Sequence, residues 1–264
     1  MIPKIIHYCW FGRNPLPEIA LICINSWKKY LPDYEIKEWN EDNYDVRKIP
    51  YTSEAYDAKK YAFVSDYARL DILYMYGGLY FDTDVEVLKD LSPIIAKGAF
   101  VGTEMIGKIN PGLGMGCPAK TNIFKIILDT YQNEHFINKD NSLNLKTIVT
   151  RVSNIFIQNG FKKENTIQTI GDVTVYMIDY FCPKNVQTGV LNITENSYTI
   201  HHFDGSWLEN WEKDMQNKKQ ALLTNNNKYV AYILSFFYYI IISMKNLNMI
   251  SFCKYWYKKI KTKL

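Results

Sequence analysis

The stretch Gly77-Gly78-Leu79-Tyr80-Phe81-Asp82-Thr83-Asp84 decides the fold. A double glycine, a short apolar run and two carboxylates one residue apart read as a tight turn, a buried strand and a strand end that carries chemistry. Working back, apolar residues recur at Ala62, Ala68, Ile72 and Met75, which predicts a helix over Ala58–Tyr76 with the glycines at its C-cap. Upstream, Ile2–Tyr8 reads as a strand, Pro17 opens a helix to about Tyr30, and Tyr34–Trp39 reads as a second strand. Strand, helix and strand at this spacing start a βαβ unit and a parallel sheet, so the class is α/β. In such sheets ligands sit beyond the carboxyl ends of strands, where Asp82 and Asp84 fall.

Downstream, Ala99–Gly102, Val173–Ile178 and Tyr198–His201 are expected strands, and Thr121–Asn133 and Leu143–Gln158 expected helices. Asn110–Pro118, with three glycines and two prolines, reads as a loop, a candidate acceptor-side loop or a plain connection.

The composition sets bounds. The 264 residues are 47% apolar, enough for one core plus an appendage. The 21 tyrosines read mostly as strand and core filler. The net charge is +4, and six lysines with no acidic residue lie from Lys245 onward. That concentration at one end excludes a nucleic-acid-binding face. Five cysteines without a CxxC pair argue against a disulfide framework and a structural zinc site. The opening residues lack the apolar stretch of a signal peptide, which leads to a cytoplasmic expectation.

Two carboxylates on one turn face one hard cation, and Mn²⁺ or Mg²⁺ held there keeps open positions for phosphate oxygens. Asp66 and Arg69, at i and i+3 on the preceding helix, read either as a surface ion pair or as a functional polar patch. His201 and His202, in tandem before an Asp-Gly turn, add imidazole, which suits Mn²⁺. A haloacid-dehalogenase-type phosphatase also opens with Asp-x-Asp after a strand. It requires Thr or Val where Glu86 stands and a downstream Asp where Tyr176 stands, so that reading fails.

The run from Ala58 to Arg69 followed by Gly77–Asp84 closely resembles the family 32 glycosyltransferases, with their DXD sugar-binding region. The opening Ile2–Gly12 and the closing Ile200-His201-His202-Phe203-Asp204-Gly205-Ser206-Trp207 resemble that family's other motifs in the same order. These enzymes occur in capsular polysaccharide clusters and among fungal mannosyltransferases, with a distant relation to the large glucosylating toxins. The resemblance implies a GT-A fold, a Rossmann-like single domain over residues 1–210, and a nucleotide-sugar donor, expected to be a UDP-sugar. By similarity, Trp10 stacks near the donor base, and Asp66 and Arg69 contact the donor sugar and diphosphate. Asp82 and Asp84 hold the cation with His201 or His202, and Ser206 and Trp207 close over the diphosphate. The implied chemistry is a metal-dependent, retaining hexosyl transfer to a saccharide or lipid-linked saccharide acceptor. A nucleotide-sugar-binding protein without transferase activity is the alternative.

Residues 211–264 form an expected helical tail. Tyr229–Ser243 is apolar apart from tyrosine hydroxyls and two serines, and as a helix it spans about 22 Å, short of the roughly 30 Å hydrocarbon core. Lys245, Lys254, Lys258, Lys259, Lys261 and Lys263 interleave with Phe252, Tyr255, Trp256 and Tyr257. The segment therefore reads either as peripheral on the inner face of an anionic membrane or as a core helix packed on the catalytic domain.

Overall fold

The computed structural model describes residues 1–205, 208 and 210–261. The chain divides into two compact units, one of Met1–Lys184 with Leu191–Asp204 and one of Asn185–Val190 with Gly205–Leu264.

The first unit opens as the sequence predicts. Strand β1 (Ile5–Cys9), helix α1 (Glu18–Tyr30) and strand β2 (Glu35–Trp39) make the βαβ unit, with β1 and β2 parallel and Ile6 opposite Ile36. Two helices follow, α2 (Pro50–Asp57) and α3 (Tyr61–Tyr76), then strand β3 (Gly78–Tyr80), which pairs parallel to the other side of β1. The single helix expected over Ala58–Tyr76 starts later, because Lys59 takes a left-handed φ of 55° that breaks the helical path. The missed α2 opens on Pro50, whose fixed φ suits a first helical turn.

Strand β4 (Val85–Val87), the short helix α4 (Ser92–Ile95), strands β5 (Ala99–Met105) and β6 (Lys108–Cys117), and helices α5 (Asn122–Asp129) and α6 (Ile148–Gln158) come next. The start of α6 is later than the expected Leu143 because Thr147 caps it, accepting the Thr150 N–H at 3.3 Å. Strands β7 (Gln168–Ile170) and β8 (Val173–Tyr176), helix α7 (Ile178–Phe181) and strand β9 (Thr199–His201) complete the unit.

The main sheet runs β2-β1-β3-β6-β5-β8-β7, with three parallel and three antiparallel pairings. A separate two-stranded sheet pairs β4 with β9. One core cluster gathers Val64, Ala68 and Leu73 of α3 with Phe124 of α5 and Phe156 of α6. Another gathers Cys23 and Trp27 of α1 with Phe81, Val85 and Phe181. Helices therefore cover both faces, the α/β arrangement that the sequence predicts.

Asn110–Pro118 is corrected by this sheet. Most of the segment is strand β6, between β3 and β5, and not a loop. Its glycines serve close approach: a Cβ on Gly116 would lie 2.6 Å from both Leu79 and Phe100. Pro111 survives in a central strand because the pairing with β5 jumps from Gly102↔Asn110 to Val101↔Met115, leaving a bulge that needs no N–H from it.

The turn into β3 explains the double glycine. Gly77 and Gly78 have φ of 65° and 103°, and a Cβ on Gly78 would sit 2.7 Å from the Ile5 carbonyl and 3.0 Å from His7 Nε2. His7 itself is buried, with Trp39 Nε1 at 3.0 Å from its Nδ1 and the Gly77 carbonyl at 2.9 Å from its Nε2. The indole N–H only donates, so Nδ1 accepts and Nε2 carries the proton that Gly77 receives. One imidazole thus ties β1, β2 and the turn before β3.

The second unit contains helices α8 (Asn210–Asn225), α9 (Lys228–Asn246) and α10 (Met249–Lys261). The expected apolar tail segment lies within α9. No helix among the described residues is long and apolar enough to cross a membrane.

Burial, with the Lys37 charge nearby, lowers the His7 pKa from 6.5 to about 4 against the raising effect of its bond to Gly77. The unfolded chain therefore takes up a proton first as pH falls, and stability drops between pH 6.5 and 4 by up to about 3 kcal/mol from this residue. Urea unfolding at pH 7 and pH 4.5 should show a smaller pH-dependent loss in His7→Gln than in the wild type. Equal losses in the two would contradict a neutral His7.

Candidate functional site

Asp82-Thr83-Asp84 forms the turn from β3 to β4, closed by the Val85 N–H donating to the Asp82 carbonyl at 3.0 Å. Neighbouring strands hold this turn by its backbone. The Asp82 N–H donates to the Gly112 carbonyl of β6 at 3.0 Å, and the Asp84 carbonyl accepts the His202 N–H at 2.9 Å. The pairing of β4 with β9 sets Val85 opposite His201, which carries that imidazole to the acidic turn.

Helix α3 supplies the other side. The Arg69 side chain is only 6% exposed and its guanidinium divides between two carboxylates. Nη1 lies 3.0 Å from Asp82 Oδ1 and 3.1 Å from Oδ2, while Nη2 lies 3.1 Å from Asp66 Oδ1. Nε donates to the Ser65 carbonyl at 3.1 Å, and the guanidinium carbon sits 5.1 Å from the centre of the Tyr80 ring. Tyr80 donates its hydroxyl to Asp82 Oδ1 at 3.2 Å. The i, i+3 pair read from the sequence is therefore a buried triad and not a surface ion pair.

His201 Nε2 lies 3.1 Å from Asp84 Oδ1 and 4.0 Å from Asp82 Oδ2. The other Asp84 oxygen accepts the Asp204 N–H at 2.9 Å. Phe203, at a left-handed φ of 57°, turns the chain back so that Asp204 reaches it, and its ring stands nearly perpendicular to the imidazole with centroids 4.1 Å apart.

The electrostatics follow from burial working against these partners. Burial pushes the Asp84 carboxyl up, but the His201 charge, its hydrogen bond and the Asp204 N–H outweigh it and hold Asp84 below the ordinary carboxylate range. Burial likewise pulls His201 down, and Asp84, Asp82 and Glu104 more than restore it, so the imidazole is held above its ordinary value. Asp66 goes the other way: burial and the Asp82 charge outweigh Arg69 and Arg151 and raise it to about 6.

The structure thus brings together Asp66, Arg69, Asp82, Asp84 and His201. His202 takes a different partner, Glu86 Oε2 at 2.9 Å, so the tandem histidines divide and His201 is the one at the acidic turn. Trp10 donates its indole N–H to the Asn14 carbonyl at 2.6 Å and packs against the α1-side core. Ser206 and Trp207 lie outside the described residues.

Two groups of polar residues escaped the sequence reading. Glu104, at the end of β5, accepts a hydrogen bond from Asn110 Nδ2 at 2.9 Å, and Asn110 Oδ1 accepts the Gly112 N–H at 2.7 Å. Asn110 fell inside the expected loop, and only the pairing of β5 with β6 reveals the chain of contacts. Tyr51, Tyr131 and Arg151 pack together, the Arg151 guanidinium 3.9 Å from the Tyr131 ring centre; the Arg151 charge pulls Asp66 down, and the Asp66 charge pushes both tyrosines up. Among the described residues, the Tyr51 and Tyr131 hydroxyls and Arg151 Nε are buried without a hydrogen-bond partner. Scattered single residues leave no sequence pattern to mark such a cluster.

Among the described residues no group of three or more His, Cys, Asp or Glu side chains stands ready for a metal ion. Arg69 pairs with Asp82, and His201 with Asp84. The donor set itself fits a divalent cation, with two carboxylates and an imidazole whose Nε2 lies 3.1 Å from Asp84 Oδ1 and 4.0 Å from Asp82 Oδ2. Coordination would exchange the His201–Asp84 contact for contacts to the ion.

Residues 17–101 match the family model described as "Glycosyltransferase sugar-binding region containing DXD motif". The chain is 32% identical over 122 residues to inositol phosphoceramide mannosyltransferase 1 of Schizosaccharomyces pombe, covering 41% of this chain and 37% of that protein. It is 35% identical over 104 residues to inositol phosphoceramide mannosyltransferase 3 of the same yeast, covering 38% of this chain and 29% of that one. The chain therefore spans less than two fifths of the length of these relatives. Among solved structures, PaToxG Glycosyltransferase superposes with a TM-score of 0.46 at 20% identity, over 60% of this chain and 69% of that one.

The close packing at Gly112 makes a test of this geometry. A Cβ there would lie 2.0 Å from Asp82 Oδ2 and 2.9 Å from Arg69 Nη1. Gly112→Ala should cost about 1–3 kcal/mol in the wild type. It should cost less in an Asp82→Ala background, where the colliding oxygen is gone. Equal costs by urea unfolding in both backgrounds would contradict the contact.

Proposed function

We propose, from the DXD-containing glycosyltransferase sugar-binding region that residues 17–101 carry, that the chain transfers a hexosyl unit from a nucleoside diphosphate sugar to a saccharide acceptor. The observation that carries this reading is the convergence of Arg69, Asp82, Asp84 and His201 at the end of β3. Asp82, Asp84 and His201 would hold Mn²⁺ or Mg²⁺. When bound, the ion neutralises charge that develops on the departing diphosphate.

The chain's own residues do the rest. Arg69 is a fixed cation beside that place, kept there by Asp66 and Asp82, and it favours a diphosphate over a neutral ligand. Asp66, 13% exposed and aligned by Arg69, accepts a donor-sugar hydroxyl. Trp10, Ser206 and Trp207 are proposed for the base and diphosphate on the resemblance alone. In the reaction the acceptor hydroxyl oxygen bonds to the anomeric carbon and the bond from that carbon to the diphosphate breaks. The hydroxyl proton leaves with the diphosphate. Attack on the same face retains the anomeric configuration, and it needs no carboxylate nucleophile.

Both relatives named above are mannosyltransferases whose names give a ceramide lipid as acceptor. Those names support a mannosyl donor beside the expected UDP-sugars and a lipid-linked acceptor, while a place in surface or capsular polysaccharide assembly is proposed on the resemblance alone.

Incubating the full chain with Mn²⁺ and a panel of UDP- and GDP-sugars should release nucleoside diphosphate slowly from one donor without any acceptor. EDTA should stop the release and added Mn²⁺ restore it. Asp84→Ala should lower it on the order of 10²-fold or more, and Asp66→Asn should impair it with a near-normal melting temperature. Arg69→Ala leaves two buried carboxylates unpaired and should cost about 3–5 kcal/mol of stability as well, so Arg69→Lys is the cleaner probe. A donor that raises the melting temperature without being hydrolysed would favour the binding-protein alternative. Normal release by both Asp84→Ala and Asp66→Asn would overturn the site.

A further inference from the structure

The second unit carries a helix turned inside out. Within α9 the buried positions are small or hydroxylated: Ala231 and Ser243 are fully buried and Ser235 nearly so. Ser235 and Ser243 return their hydroxyls to the carbonyls of Ala231 and Tyr239, both at 2.7 Å, so neither needs water. The opposite face is large and apolar. Val230, Ile233, Leu234, Phe237, Ile241 and Met244 follow helical spacing along one side, and each is between 44% and 61% exposed.

A water-facing helix has the reverse arrangement, with its apolar stripe packed and its polar residues out. Small residues at helix contacts with large apolar ones outward suit a helix whose surroundings are lipid. The sequence has no charged residue between Lys228 and Lys245, and from Lys245 onward it holds six lysines and no acidic residue. Trp256 of α10 donates to Ser243 Oγ at 2.8 Å and stands edge-on to Phe236 at 5.4 Å, which fixes this lysine-rich helix to α9. Of those lysines, the side chains of Lys254, Lys258, Lys259 and Lys261, and all of Lys263, lie outside the described residues.

We infer that the Val230–Met244 face of α9 docks in the interface of an anionic lipid bilayer. The helix lies in the plane of the bilayer: its nineteen residues reach about 28 Å, and no described helix meets the requirements for a span. The apolar face enters the headgroup and acyl boundary while the lysines meet anionic headgroups. The inference stands apart from the catalytic proposal, because vesicle binding needs neither donor nor turnover.

The test uses the full chain and vesicles of phosphatidylcholine alone or with about one third phosphatidylglycerol, read by co-sedimentation. The wild type should bind the mixed vesicles, and part of that binding should survive high salt because it is apolar. Ile233→Ser with Phe237→Ser should weaken it at least about tenfold, including the salt-resistant part. Truncating residues 245–264 should weaken mainly the salt-sensitive part. Light scattering without vesicles keeps the rival occupant in view. A dimer that the double substitution disperses, with no vesicle binding by the wild type, would assign the face to a second copy and overturn the proposal. Binding unchanged by the double substitution would overturn it too.

Discussion

The site depends on one buried guanidinium. Arg69 is nearly excluded from water, and a lone cation there would be costly to desolvate. Asp66 one turn back and Asp82 on the β3 turn share that cost, and the Tyr80 ring covers the flat face. The arrangement forces α3 and β3 into a fixed relation, because neither carboxylate can leave without stranding the charge. Gly112 is the complement of this constraint, since only a residue without Cβ lets β6 lie against the Asp82 carboxylate.

A second ion pair closes the site from the far end of the chain. His201 reaches Asp84 only because β9 pairs with β4, and the φ of Phe203 returns the Asp204 N–H to the same carboxylate. The acidic turn is thus gripped by Arg69 on one aspartate and by His201 on the other. Each aspartate faces a cationic partner within the protein. In the proposed reaction, the partners that hold the aspartates in place are also groups that an incoming ion and diphosphate would engage.

Much of this was legible in the sequence where the signal was local. The double glycine, the strand after it and Asp82-Thr83-Asp84 carry their structure in adjacent residues, and the βαβ start follows from periodicity and prolines. The division between His201 and His202 was not legible, because it is set by which face of β9 meets β4, a long-range pairing. Asn110–Pro118 misled the sequence reading for a related reason. Glycine and proline mark turns in general, but here they relieve crowding in a central strand and occupy a bulge. The buried character of Arg69 was also hidden, since the i, i+3 spacing to Asp66 is the same for a surface pair and a buried one. The Glu104–Asn110–Gly112 contacts and the Tyr51–Tyr131–Arg151 group depend on distant strands and helices meeting, which no local pattern records.

Asp82, Asp84 and His201 are proposed to hold a divalent ion through which a nucleoside diphosphate is recognised. Calorimetric titration of UDP and GDP into the wild type and Asp84→Asn, each with and without Mn²⁺, measures this most directly. The account predicts binding of one nucleotide by the wild type only when Mn²⁺ is present, and its loss in Asp84→Asn. Equal nucleotide affinity with and without the metal, or affinity untouched by Asp84→Asn, would contradict it.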